Sequence, residues 1–194
     1  MGLDERSSKS HELFLDTKNF INSFVVMYIM QETIESLLKN GQTSLNLGNP
    51  KDAMVFYDKV LAQNSQQIEA LLKKGHILGK LARYEQAIIH YDNVLSQDIG
   101  NILALLNKGL AQHCIGEYNA AIECFDRVLL VKPKNTTALY NKASSLVKSN
   151  RIKEGLKILS DVIIIDFSYN AKARFDIDFE EIRKLNEFKE IINK

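Results

Sequence analysis

The sequence predicts an all-α protein built from repeated pairs of helices, and two observations carry that reading. Its 194 residues include only 2 prolines and 9 glycines, the residues that helix interiors exclude. Slid against itself, the chain matches at one offset, the one that carries Gly41 onto Gly75 and Gly75 onto Gly109, and a fixed period of that size is the mark of a repeat array. Small residues recur at Gly41, Gly75, Gly109 and Ala143, and again at Ala53, Ala87, Ala121 and Gly155. Bulky residues recur at Tyr57, Tyr91, Phe125 and Leu159, followed by Val60, Val94, Val128 and Val162. Within a unit the apolar positions fall three and four residues apart, as in Ala87, Ile88, Tyr91, Val94 and Leu95, which is the stripe of an amphipathic helix. With 45% apolar residues the chain has the material for a continuous core.

The elements follow in order. Residues 1–33 form an amino-terminal segment whose run from Phe20 to Met30 is about half the length needed to span a bilayer. Apolar residues surround that run instead of striping it, so it is expected to be buried, over the open side of the first repeat or in the groove, as a cap or as a dimer contact. Four repeats then occupy 34–67, 68–101, 102–135 and 136–169. Helices are predicted at 35–47, 51–63, 69–81, 85–97, 103–115, 119–131, 137–149 and 153–165. Breakers separate the two helices of a unit at Gly48, Asn49 and Pro50, at Gly116 and at Asn150; Asn49 before Pro50 reads as an N-cap and first helical residue. Residues 171–194 are expected to form a closing helix, with Asp178 and Glu181 at capping-box spacing and a stripe of Ile182, Leu185, Phe188 and Ile192. A terminal repeat exposes one face of its stack and needs such a cover.

The columns resemble the tetratricopeptide repeat. The third unit matches that family's pattern best, through Gly109, Gly116, Tyr118, Ala121, Phe125 and Pro133. The first helices depart from it with Leu37, Leu71, Leu105 and Leu139 where an aromatic is usual, and the fourth unit has Asn150, Ile152 and Gly155 in place of Gly, Tyr and Ala. The resemblance implies a right-handed superhelical solenoid whose first helices line a concave, protein-binding groove. By register that groove presents Lys39, Gln42, Lys73, His76, Lys80, Asn107, Leu110, His113, Asn141, Ser144 and Lys148. Lysine offers a point charge to a carboxylate, and the asparagines offer donor and acceptor to a peptide backbone. The implied partner is a protein or peptide with acidic residues. The column Leu38, Leu72, Leu106 and Tyr140 serves either as groove floor or as helix contact. The family's clamp for acidic chaperone tails is not matched: Leu38, Gln42, Lys73, Leu103 and Asn107 stand where it needs Lys, Asn, Asn, Lys and Arg.

Other chemistries find no constellation. Lysine and arginine number 25 against 24 acids, so no net field favours nucleic acid or an anionic membrane, and an RNA-binding repeat is a distant alternative. Gly75, Gly79 and Lys80 have the wrong spacing for a phosphate loop, and Leu81 replaces its Ser or Thr. His113, Cys114 and Cys124 lack a second ligand pair, so no metal or other cofactor is read, and Cys124 is expected to pack between helices. Asp176, Asp178, Glu180 and Glu181 lack the central glycine of a calcium loop. No catalytic set, secretory signal or membrane span is read. The expectation is a cytoplasmic scaffold or adaptor that is not an enzyme, with self-assembly into a homo-oligomer as the alternative.

Overall fold

The computed structural model describes residues 32–193; the apolar run Phe20 to Met30 lies outside the described residues. Eight helices follow one another in four antiparallel pairs: α1 Ile34–Asn46 with α2 Pro50–Gln63, α3 Ile68–Lys80 with α4 Tyr84–Leu95, α5 Ile102–Cys114 with α6 Tyr118–Val131, and α7 Thr136–Lys148 with α8 Ile152–Ile165. Each lies within two residues of its predicted span. Every first helix packs on its own second helix and, from the second pair onward, also on the second helix of the preceding pair, so the pairs stack into a solenoid.

The two sequence columns meet as lock and key. Tyr57, Tyr91 and Phe125 are buried, and each ring lies where a side chain at Gly41, Gly75 or Gly109 would stand. A Cβ there would come within 2.8, 2.6 and 2.7 Å of ring carbons. In the fourth pair the same joint is made by Ala143 and Leu159, both buried. Burying each large side chain contributes about 1.5–3 kcal/mol. Leu38, Leu72 and Leu106 are partly buried against the core, and Tyr140 is fully buried. That column is helix contact, not open groove floor.

Two further columns end the helices. Thr33, Gln67, Asn101 and Asn135 cap the first helices, each accepting a backbone N–H of the first turn at 2.9–3.1 Å, which satisfies donors that have no intrahelical partner. Asn49 sits at the N-cap position before Pro50, but its side chain makes no capping bond. The turn inside each pair places Gly48, Ala82, Gly116 and Asn150 at φ +78°, +55°, +83° and +65°. Glycine adopts that conformation freely and asparagine tolerates it. Ala82 has neither advantage.

The segment after α8 differs from the single closing helix expected. It is jointed: α9 Ser168–Phe175, a 3₁₀ turn Ile177–Ile182 and α10 Asn186–Ile192. The cap is Asp176, not Asp178; its carboxylate accepts the Asp178 N–H at 3.1 Å and the Tyr140 hydroxyl at 2.6 Å. A short acidic side chain that bonds its own backbone competes with helix continuation, and α9 stops there. Phe179, Ile182, Phe188 and Ile192 are buried against the fourth pair, whereas Leu185 of the expected stripe is 38% exposed.

Candidate functional site

Because first helices recur at one fixed period, their concave positions line up as rows: Lys39, Lys73, Asn107 and Asn141; then Gln42, His76, Leu110 and Ser144; then Lys80, Cys114 and Lys148. Tertiary structure divides these rows into an open half and a covered half.

The open half lies on α1, α3 and α5. Lys39, His76, Lys80 and Leu110 are exposed, and Gln42, Lys73 and Asn107 are half-buried. The Lys73 ammonium donates to Gln42 Oε1 at 2.5 Å, and Gln42 Nε2 donates to Asn46 Oδ1 at 2.8 Å, so a polar chain ties α1 to α3. His76 is exposed at the cavity mouth but partly desolvated by its neighbours, and that desolvation, then the charges of Lys80 and Lys73, hold it below the ordinary imidazole range. Two cavities open here and share His76 and Lys80. One, of about 320 Å³, is also lined by Tyr84, Tyr91, Asn107, Leu110 and Cys114. The other, of about 290 Å³, is also lined by Gln42, Leu45, Pro50 and Lys73.

The covered half lies on α7 and the end of α5, where the jointed segment folds onto the same rows. Ser144 is buried and its hydroxyl donates to the Asp178 carboxylate. His113 Nε2 stands 3.1 Å from the same carboxylate, and its Nδ1 lies 2.9 Å from Ser145 Oγ. The bond from His113 holds the Asp178 carboxyl below its ordinary range against the opposing effect of burial, with Ser144 and Lys148 adding to it. Lys148 lies 3.6 Å from Glu181, and Asn141 gives its carbonyl to the Ser145 hydroxyl at 2.8 Å. Of the residues assigned to the groove by register, then, Gln42, Lys73, His76, Lys80, Asn107 and Leu110 line two adjoining cavities, and Lys39 is exposed on α1 outside them. His113, Ser144 and Lys148 are engaged within the chain.

Ser145, His113 and Asp178 have the outline of a nucleophile, base and acid, but Ser145 is fully buried and its proton goes to the Asn141 carbonyl. Such a hydroxyl is not presented to a substrate. Among the described residues no group of three or more His, Cys, Asp or Glu side chains could hold a metal ion, and no helix is long and apolar enough to cross a membrane. Cys124 is buried and donates to Gln112 Oε1 at 3.2 Å, the packing role expected of it.

A row of charges between the pairs escaped sequence reasoning. Asp58 with Lys74, Asp92 with Lys108 and Asp126 with Lys142 each join a second helix to the next first helix, the last two at 2.5 Å. The signal was present, since both members repeat at the period and keep the same separation in every pair. By contrast Lys39, Lys73 and Lys80 meet no carboxylate within ion-pair distance among the described residues.

Stacked antiparallel helix pairs define a helical-repeat solenoid. Residues 68–98 and 102–135 match the family model of the tetratricopeptide repeat. Those two units are tetratricopeptide repeats in sequence, and the first and fourth helix pairs stack on them in the same way. No curated protein matches it in sequence, but solved structures match it in fold. MamA from Desulfovibrio magneticus RS-1, from residue 41 to its end, aligns at 20% identity over 84% of this chain and 92% of that one, with a TM-score of 0.74. Another crystal structure of MamA aligns at 22% identity over 76% and 85%, with a TM-score of 0.67. YrrB, a TPR protein with an unusual peptide-binding site, aligns at 15% identity over 88% of each chain, with a TM-score of 0.70.

Proposed function

We propose that this chain is a non-catalytic protein-interaction scaffold whose groove, on α1, α3 and α5, binds an acidic peptide or an acidic segment of a partner protein. The observation that carries the reading is a charge contrast. Lysines between the helix pairs are matched with aspartates, while Lys39, Lys73 and Lys80 on the concave face have no carboxylate beside them among the described residues. Lys73 and Lys80 border cavities that also contain apolar side chains, so a partner gains both charge contacts and burial. YrrB, similar in fold and described as having a peptide-binding site, supports the class of ligand. Each partly exposed charge pair contributes about 0.2–1 kcal/mol, so affinity comes from several contacts and falls with salt.

A peptide array probed at low and moderate salt tests this, with wild-type protein beside a Lys73→Glu, Lys80→Glu double variant. Acidic ligands should be retained by the wild type and lost by the variant. Equal affinity of the two for the same acidic ligands would refute the site.

One observation favours self-association as a second reading. Phe167, Phe175 and Ile177 of the closing segment are 67%, 79% and 74% exposed, and Phe167 and Phe175 flank one cavity, a surface that a second copy would cover. Light scattering at several concentrations decides it: a constant monomer mass rejects self-association.

A further inference from the structure

The covered half of the groove shows what these rows hold. Asp178 touches two first helices at once, through His113 of α5 and Ser144 of α7. Three residues on, Glu181 faces Lys148, one helical turn beyond Ser144. Between the two acids Phe179 is fully buried and meets the Tyr140 ring edge-on at 5.7 Å. The chain thus presents a 3₁₀ turn with an aromatic at i+1 and carboxylates at i, i+2 and i+3, of which those at i and i+3 face the groove side chains and Glu180 at i+2 is exposed. Its receptor is an uncharged or imidazole donor followed, four residues later on the same helix, by a lysine.

Two periods earlier the same positions on α3 are His76 and Lys80. An imidazole N–H can replace the Ser144 hydroxyl as donor to a carboxylate without carrying charge, and Lys80 repeats Lys148. The cavity beside them, bordered by Tyr91, Leu110 and Ala111, offers an apolar wall where Phe179 finds one in the covered half. Tyr140 has no counterpart on α3, where the column carries Leu72, so the open site makes its apolar contact through the cavity instead.

We infer that the α3–α5 half of the groove takes an acidic turn of the form carried by Asp178 to Glu181, with carboxylates three residues apart and an aromatic beside the first. The inference rests on the groove's being an acidic-peptide site and adds the spacing and shape of the ligand.

The test uses the full chain and a fluorescent peptide of residues 175–183, read by anisotropy and by NMR shifts. In every peptide Asp176 and Glu180 are replaced by Asn and Gln, so that Asp178 and Glu181 supply the only side-chain carboxylates; a second peptide has the same composition but places these two acids two residues apart, and a third also carries Asp178→Asn and Glu181→Gln. The natively spaced peptide should bind and move the signals of His76 and Lys80. The respaced and neutral peptides should bind about tenfold more weakly, the loss expected when charge-assisted bonds at two sites cannot form together. If the respaced peptide binds as well as the natively spaced one, the turn specificity is wrong while the acidic groove stands. If shifts gather at His113 and Ser144 instead, the peptide has displaced the chain's own segment and the α3 site is wrong. If no acidic peptide binds at any spacing, the groove reading fails and takes this inference with it.

Discussion

The two halves of the concave face are built from the same rows and finished in opposite ways. On α7, Ser144 and Lys148 receive carboxylates from the jointed segment, and Tyr140 is sealed beneath Phe179 with its phenol pushed well above the ordinary range by burial and the bond to Asp176. On α3 the equivalent His76 and Lys80 face open cavities and, among the described residues, no acid. A row position therefore does not carry a function by itself. What comes next in space decides whether the same kind of side chain closes the array or stays available to a partner.

The largest expected effect probes a second difference between the halves, the small-to-bulky joint that changes from Gly75 and Tyr91 to Ala143 and Leu159. Gly75→Ala drives a methyl to 2.6 Å from the Tyr91 ring and should cost about 1–3 kcal/mol in denaturant melts. Adding Tyr91→Leu reproduces the fourth joint. The double variant should be more stable than the sum of the singles by about 1 kcal/mol, and strict additivity would show that the two joints are not equivalent.

Asp178→Asn tests whether the covered half is held by charge. It should cost about 1–2 kcal/mol, because two donors lose an ionised acceptor, and hydrogen exchange should rise first in α9, the 3₁₀ turn and α10. The sign with pH follows from the lowered carboxyl. Its contribution is complete above the ordinary aspartate value of about 3.9 and is lost as pH falls through the lower folded value. Thermal unfolding of the wild type across that acid range should lose a stabilising component that the Asn variant lacks.

Ala82→Gly sharpens the comparison of the turns. Three of them place Gly or Asn at positive φ and the second places alanine there, so the substitution should raise stability by a few tenths to about 1 kcal/mol despite the added freedom of the unfolded chain. Asp92→Asn separates the paired lysines from the open ones. Its loss from the bond to Lys108 should be about 0.5 kcal/mol, and Lys80→Met should leave the melting midpoint unmoved. A large loss from Lys80→Met would mean that this lysine supports the fold and not a ligand.

The local and the periodic parts of this molecule were legible in the amino-acid order. Gly41, Gly75 and Gly109 opposite Tyr57, Tyr91 and Phe125 could be read because a stack of like units repeats its contacts at one offset, so a contact between neighbours becomes a column in sequence. The helix spans and the groove register were set by the same repetition. The end of the array was not, because a contact made once leaves no column. Asp176 stops α9 only because the Tyr140 hydroxyl and the Asp178 N–H converge on it. Asp178 reads as a helix cap until the fold brings His113, two helix pairs earlier in the order of the chain's elements, to 3.1 Å from its carboxylate. Which lysines would be engaged within the fold and which left facing the groove was likewise settled only in three dimensions, since a charge is satisfied by what lies within a few ångströms and not by what lies beside it in sequence.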